Sequence, residues 1–253
     1  MKIDLHLHCK ERSGCSIATE IEQIEAAIGY GLDGIVITDH DKLVPKEHLK
    51  ELNDKYAPFK VFGGVEVTTV PNGDHVLVIG VTDDALETEE WTYERLYKFV
   101  KTHNGFIALC HPYRYGNTVN IDIATFVPDA IEIHSTNIGV DDTPRIETLA
   151  KRLGCKLIAN SDSHHTKDTG IYHNIIPGYP DHLDELTRIL LEANIEIGRD
   201  EKRVTYFNKK VRERELVIKK MIEEGKTAED YTRITGEWDG NFNRVLLGKT
   251  YEI

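Results

Sequence analysis

The sequence predicts an α/β chain, with repeated βα units around a parallel sheet or barrel and a short helical segment after them. Apolar runs of strand length alternate with segments of helical period up to about residue 200. Histidines and carboxylates gather at the C-terminal ends of those runs, the face on which barrels of this class assemble their sites. After Arg199 the pattern changes to a basic stretch from Lys202-Arg203 to Lys219-Lys220, then a short acidic stretch and the closing residues 241–253.

The elements follow in order. Residues 2–8 read as the first strand. Thr19-Glu20-Ile21-Glu22 has the form of a capping box, opening a helix that Gly31 can close. Residues 34–38 and 60–68 are strand-like, with a helix over 46–55 between them. Pro71-Asn72-Gly73 is a turn, so the run 75–81 is expected to fold back on the preceding strand as a hairpin that interrupts the βα alternation. A helix over 89–103 leads to strands at 105–110 and 130–134. Thr143-Pro144 starts a helix that runs to Gly154 before the strand 156–160. Gly178-Tyr179-Pro180 is a turn ahead of a helix over 181–193, with Asp181 placed to cap it. In the basic stretch, Val211, Val217, Ile218, Met221 and Ile222 supply the apolar side of one further helix.

A chain of 253 residues can bury a large core, and we read residues 1–200 as a barrel domain and 201–253 as an extension packed on or beside it. Hydrophobic content of 40% and charged content of 29% are those of a soluble globular protein. No run approaches the roughly 18 apolar residues of a membrane span, and the N-terminus enters a strand pattern without a signal-peptide layout. A cytoplasmic protein with no membrane partner is the expectation. Four cysteines without a CxxC pair are too sparse for a disulfide framework. A formal charge of −12 opposes generic polyanion binding, although the basic C-terminal region leaves a local nucleic-acid surface open.

The chemistry sits in five short clusters: Asp4-Leu5-His6-Leu7-His8, Thr38-Asp39-His40, Gly64-Val65-Glu66, His111-Pro112 and Asp162-Ser163-His164. In a regular strand, residues two apart share a face, so Asp4, His6 and His8 are expected to form a chelating row backed by Ile3, Leu5 and Leu7. So many ligand types at strand ends need a shared partner, and divalent metal ions are the natural one.

At these residues the chain resembles the PHP (polymerase and histidinol phosphatase) family. The matching segments also include Gly31-Leu32-Asp33-Gly34-Ile35-Val36-Ile37-Thr38-Asp39-His40 and Asn160-Ser161-Asp162-Ser163-His164, in family order over residues 1 to about 175. The resemblance implies a distorted (β/α)7 barrel holding two or three divalent ions, with Zn, Mn or Fe as candidates. It implies that His6, His8, Glu66 and Asp162 bind one metal, that Glu66 bridges to a second held by His111, and that His40 and His164 hold a third. His134, at the end of the strand 130–134, and His75, at the start of its strand, are further candidates.

Many family members place an Asp or His after the HxH, where this chain reads Cys9-Lys10-Glu11-Arg12-Ser13-Gly14-Cys15-Ser16. Cys15 or Glu11 can substitute, and a thiolate would favour a softer ion such as zinc or ferrous iron. Otherwise the third site is weak and a two-metal centre results.

Two ions sharing Glu66 would hold and acidify a bridging water for attack on a phosphate ester. Arg114 is the candidate phosphate clamp, with Arg12 and Lys10 as weaker choices. Protonation of the leaving group falls to His40, His134 or a metal-bound water. The expected function is therefore a metal-dependent phosphoesterase acting on a small phosphomonoester or nucleotide. The alternatives are a PHP-type nuclease or exonuclease guided by the basic C-terminal region, a zinc amidohydrolase on a related barrel, and a non-catalytic metal-binding structural or regulatory module.

Overall fold

The computed structural model describes residues 1–114 and 116–253. Its strands form one nine-stranded sheet in the order β7-β6-β5-β4-β3-β2-β1-β8-β9. The first three strands, β1 (Lys2–Leu7), β2 (Gly34–Ile37) and β3 (Lys60–Thr68), are parallel neighbours, joined through helices α1 (Glu20–Gly29) and α2 (Lys46–Tyr56). The expected hairpin is present, with β4 (His75–Ile79) antiparallel to β3 and pairing Glu66 with Leu77. After α3 (Ala85–Thr88) and α4 (Tyr93–Thr102), β5 (Phe106–Leu109) returns antiparallel to β4. Parallel pairing resumes with β6 (Ala130–His134), α5 (Thr143–Leu153) and β7 (Lys156–Ala159).

Two short strands that periodicity does not reveal, β8 (Tyr172–Ile175) and β9 (Glu196–Arg199), flank α6 (Leu183–Glu192); β8 pairs antiparallel with β1, and β9 antiparallel with β8. They leave β7 without a ladder to β8. Asn174 fills the gap: its amide donates to the Ala159 carbonyl at 2.8 Å, and its Oδ1 accepts from the Ala159 N–H at 3.1 Å. At the other end of β1, the loop after β7 closes the barrel directly, since Asp162 N donates to His6 O at 2.8 Å and His8 N to Ser163 O at 2.9 Å. The result is a distorted, nearly closed barrel whose final closure lies beside the chemical clusters.

Local chemistry sets the boundaries. Thr19 and Glu22 form the capping box of α1, and Gly154 ends α5 in the left-handed region. The α4 helix starts at Tyr93 rather than residue 89, because the Thr92 side chain accepts from Arg95 N and fixes the cap there. Asp181 does not cap α6; its carboxylate accepts from Lys60 Nζ at 2.6 Å, and His182 occupies the cap position.

The barrel interior is packed by Val36, Phe62, Leu77, Ile79, Phe106 and Ala108, while Ile24 and Ala27 of α1 cover the outer face of β1 and β2. Asp200 caps the long helix α7 (Glu201–Glu223), accepting from Lys202 N and Arg203 N at 3.1 Å each. Val204, Val211, Ile218 and Met221 are its buried positions, whereas Val217 is half exposed. The short helices α8 (Ala228–Thr235) and α9 (Gly240–Leu246) complete the C-terminal helical extension. Among the described residues, no helix is long and apolar enough to cross a membrane.

Candidate metal centre

The centre is organised by one carboxylate. Glu66 lies on β3, fully buried, and its two oxygens face two different sets of rings. Oε2 lies 3.3 Å from His6 Nε2, 3.1 Å from His8 Nε2 and 3.0 Å from His40 Nδ1. Oε1 lies 2.8 Å from His75 Nδ1 and 3.0 Å from His111 Nε2. Asp162 joins the first set, its Oδ1 at 3.4 Å from His6 Nε2 and 3.2 Å from His8 Nε2.

Backbone distortions aim these side chains. β1 slips register between Asp4 and Leu7, so Ile3 and Leu5 both pack with the barrel-interior residues, while Leu7 turns out toward Ile24 and Ala27. His6 and His8 point into the centre and Asp4 does not. The Asp4 carboxylate is consumed by Ser161, by the Gly170 N–H at 3.0 Å and by the His6 N–H at 3.2 Å. The expected chelating row therefore loses its first member, and Asp4 anchors the β7–β8 connection. Both His111 (φ +23°) and Asp162 (φ +50°) adopt positive φ, a costly conformation for residues with side chains and one typical of functional sites.

His134 is a correction. Strand alternation places it beside Glu132, but β6 is irregular between these two residues. Its ring stacks on Tyr172 at 4.9 Å, outside the cluster, so it serves neither as ligand nor as acid there. Burial, then Arg199, depresses it to about 4. Arg12 is a second correction, since its guanidinium is held by Asp39 at 2.7 Å and Glu20 at 2.9 Å and braces the loop after the HxH.

Glu132 is the residue that sequence reasoning missed. Fully buried, it accepts from His6 Nδ1 (3.1 Å), the Asn160 amide (2.8 Å) and the His111 backbone N–H (2.9 Å). A carboxylate behind a histidine fixes the tautomer and leaves Nε2 for a cation; here it turns His6 Nε2 toward Glu66. Likewise, the Asn137 amide donates to Asp162 Oδ2 at 2.6 Å, and the Asn137 carbonyl accepts from Arg244 of α9, linking the C-terminal extension to the centre.

The donor set fits divalent cations. His6, His8, Glu66 and Asp162 converge from one side, His40, Glu66 and His75 from another, and His8, Cys15, His40 and His164 from a third. The buried atoms Glu66 Oε2 and Asp162 Oδ1 make no well-aligned hydrogen bond and lie beside the His6 and His8 ring nitrogens at 3.1–3.4 Å, an arrangement that a cation relieves. His164 Nδ1 is engaged by the Asp162 carbonyl at 3.0 Å, leaving Nε2 for the cluster. Cys15 is exposed at the mouth and offers its thiol beside His8, His40 and His164.

Charge follows the packing. Burial lowers His40 to about 4, aided by His8 and His75, and lowers His164 to about 4, aided by His8. Burial and then the Arg114 guanidinium bring His111 down to about 3. All three rings are neutral at neutral pH, the state a ligand requires. Burial also opposes charge on His6, but Asp162, Glu66 and Glu132 outweigh it and raise the ring well above its ordinary value. For Glu66 burial is again the largest influence, and the surrounding His6, His75 and His40 nevertheless hold its carboxyl well below the usual range.

The cluster opens into a cavity of about 600 Å³ lined by His40, His75, Asp162 and His164 on the barrel side and by Arg214, Trp238 and Tyr251 from the C-terminal extension. Arg114 also borders it, with Nη1 3.9 Å from Asp162 Oδ2 and the guanidinium 5.2 Å from the centre of the Trp238 ring.

No family model and no curated protein matches the chain. Solved structures do. PsfC from Pseudomonas syringae matches with a TM-score of 0.60 at 17% identity, over 82% of this chain and 96% of that one. A two-domain protein from Bacteroides vulgatus containing a predicted PHP-like metal-dependent phosphoesterase matches with a TM-score of 0.59 at 18% identity, over 83% and 70%. An amidohydrolase from Chromobacterium violaceum, solved with bound sulfate and no metal, matches with a TM-score of 0.57 at 16% identity, over 79% and 98%. Likeness at these identities establishes architecture: the chain shares the distorted α/β barrel fold of these proteins.

Proposed function

We propose that the protein is a metal-dependent phosphoesterase that hydrolyses a small phosphorylated substrate such as a phosphomonoester or nucleotide. The observation that carries this reading is the fully buried Glu66, with one oxygen turned to His6, His8 and His40 and the other to His75 and His111. A carboxylate so placed is suited to bridge two cations. When bound, such ions would neutralise phosphoryl oxygens and acidify a water.

The protein's own residues supply the rest. Arg114, at the cavity wall beside Asp162, presents a planar fork that matches the edge of a phosphate. Its stacking on Trp238 limits the freedom it must surrender on binding. His6 and Asp162 are held from behind by Glu132 and Asn137, so the ligand atoms need little rearrangement to take cations. The neutral His40, His111 and His164 rings add donors without adding positive charge.

The amidohydrolase among the solved neighbours favours one second reading, attack on a carbonyl carbon at the same centre. Phosphate release from a panel of phosphomonoesters and nucleotides, run beside ammonia or amine release from amides, separates the two. Turnover of phosphate esters that is abolished in Glu66→Gln supports the proposal; turnover confined to amides replaces it with the second reading.

A further inference from the structure

The C-terminal extension reaches the metal centre through the loop 135–142, which follows β6 and lies over the chain around Asp162. Thr136 donates to the Ser161 carbonyl twice, from its N–H at 3.2 Å and from its hydroxyl at 3.0 Å. The Asn137 amide donates to Asp162 Oδ2 at 2.6 Å, which leaves Oδ1 turned to His6 and His8. The other side of the loop is clasped by the extension. The Asn137 backbone carbonyl accepts from Arg244 of α9, and Val140 N donates to the Glu252 carbonyl at 2.7 Å. The two chains approach so closely that a side chain at Gly139 would run into the Thr250 carbonyl.

The clasp is itself held in place. Phe242 of α9 packs with Ile218 and Met221 of α7 and with Tyr231 of α8. Asn208 of α7 exchanges two hydrogen bonds of 2.8 Å with Ile253, and the Thr250 hydroxyl donates to Glu215 at 2.7 Å. Arg244 is only 6% exposed, with its guanidinium over the Tyr251 ring. Burying such a charge is costly unless its donors are engaged, and a bond from a charged donor to a carbonyl is a strong one. At the far end of the chain of contacts, Asp162 holds φ +50°, a conformation that persists only where the surroundings impose it.

Resting on the reading of the centre as a cation site, we propose that Arg244 is a positioning residue for it. Through Asn137 it sets the orientation of the Asp162 carboxylate, so the C-terminal extension completes the site that the barrel begins.

The test is the zinc affinity of the full chain, measured by competition against a chromophoric chelator, together with the visible spectrum of the cobalt(II)-loaded protein. The native chain is compared with Asn137→Ala, Arg244→Ala and the double variant, and the melting temperature of each is taken without metal. Each single variant should weaken zinc binding about tenfold and alter the cobalt spectrum in the same way. The double variant should bind no more weakly than the single ones, because Arg244 acts through Asn137. Gly139→Ala, which pushes Thr250 off the loop with Asn137 and Arg244 unchanged, should also weaken zinc binding, and it carries the same test should Arg244→Ala not fold. An Arg244→Ala protein that melts earlier yet keeps native zinc affinity and a native cobalt spectrum overturns the proposal, as do native affinity in Gly139→Ala or losses that add in the double variant. A native chain that takes up no zinc overturns the metal centre itself and this role with it.

Discussion

Glu132 accepts a hydrogen bond from His6 Nδ1 at 3.1 Å, and that bond decides which nitrogen of His6 faces Glu66. Neither residue is exposed, so the pair is a fixed part of the barrel interior. The preorganisation of the centre begins behind its ligands.

Glu132→Gln should therefore weaken metal binding by about 10–100-fold with every cluster ligand still present. Competition against a chromophoric chelator measures this. Unchanged affinity would show that the His6 tautomer is set elsewhere.

His6 and His8 are raised above the ordinary histidine value in the metal-free protein, against the opposing effect of burial, because the Asp162 and Glu66 carboxylates surround them. A raised folded pKa gives stability that is complete below the unfolded value of about 6.5 and is lost as pH rises through the folded value. Cations must displace those protons. Metal loading at neutral pH should release protons, seen in calorimetry as a dependence on buffer ionisation enthalpy, and the melting-temperature gain from metal should grow as pH rises above about 6.5. A buffer-independent enthalpy contradicts this assignment.

Cys15 offers a thiol beside His8, His40 and His164. Cobalt(II)-loaded protein should show an intense near-ultraviolet thiolate charge-transfer band that disappears in Cys15→Ser, with the metal count reduced by one or the third ion held more weakly. A spectrum identical in the two proteins would make the third site a nitrogen and oxygen site only.

Arg114→Ala should lower kcat/KM on phosphate esters by about a hundredfold, the magnitude for losing a group that stabilises charge in the transition state. Metal content should remain native, because the guanidinium, although 3.3 Å from His111 Nε2 and 3.9 Å from Asp162 Oδ2, is a cation and supplies no ligand atom. Loss of metal in this variant would instead assign Arg114 a structural role in the centre.

Much of this was legible in the sequence, for identifiable reasons. The clusters around His6, His40, Glu66, His111 and Asp162 mark strand ends, and the Pro71-Asn72-Gly73 turn marks the β3–β4 hairpin. What escaped was set by register. The slip in β1 takes Asp4 out of the ligand row, and the irregularity in β6 leaves Glu132 facing the centre while His134 stacks on Tyr172. Period-two alternation assumes a regular strand and cannot anticipate either shift. The strands β8 and β9 escaped because four-residue segments such as Glu196–Arg199, largely exposed, carry no hydrophobic alternation to read. Glu132 carried only a weak signal, a lone carboxylate inside the apolar run Ala130-Ile131-Glu132-Ile133.

The central claim is that the buried cluster holds divalent ions for phosphate ester hydrolysis. The most direct measurement is the metal content of protein purified without chelator, taken with phosphate release by the same samples, for the native chain and for His8→Ala. The account predicts two or three ions per native chain, fewer in the variant, and turnover that falls with the metal. A metal-free native protein that stays inactive when divalent ions are restored would contradict it and leave the barrel as a non-catalytic module.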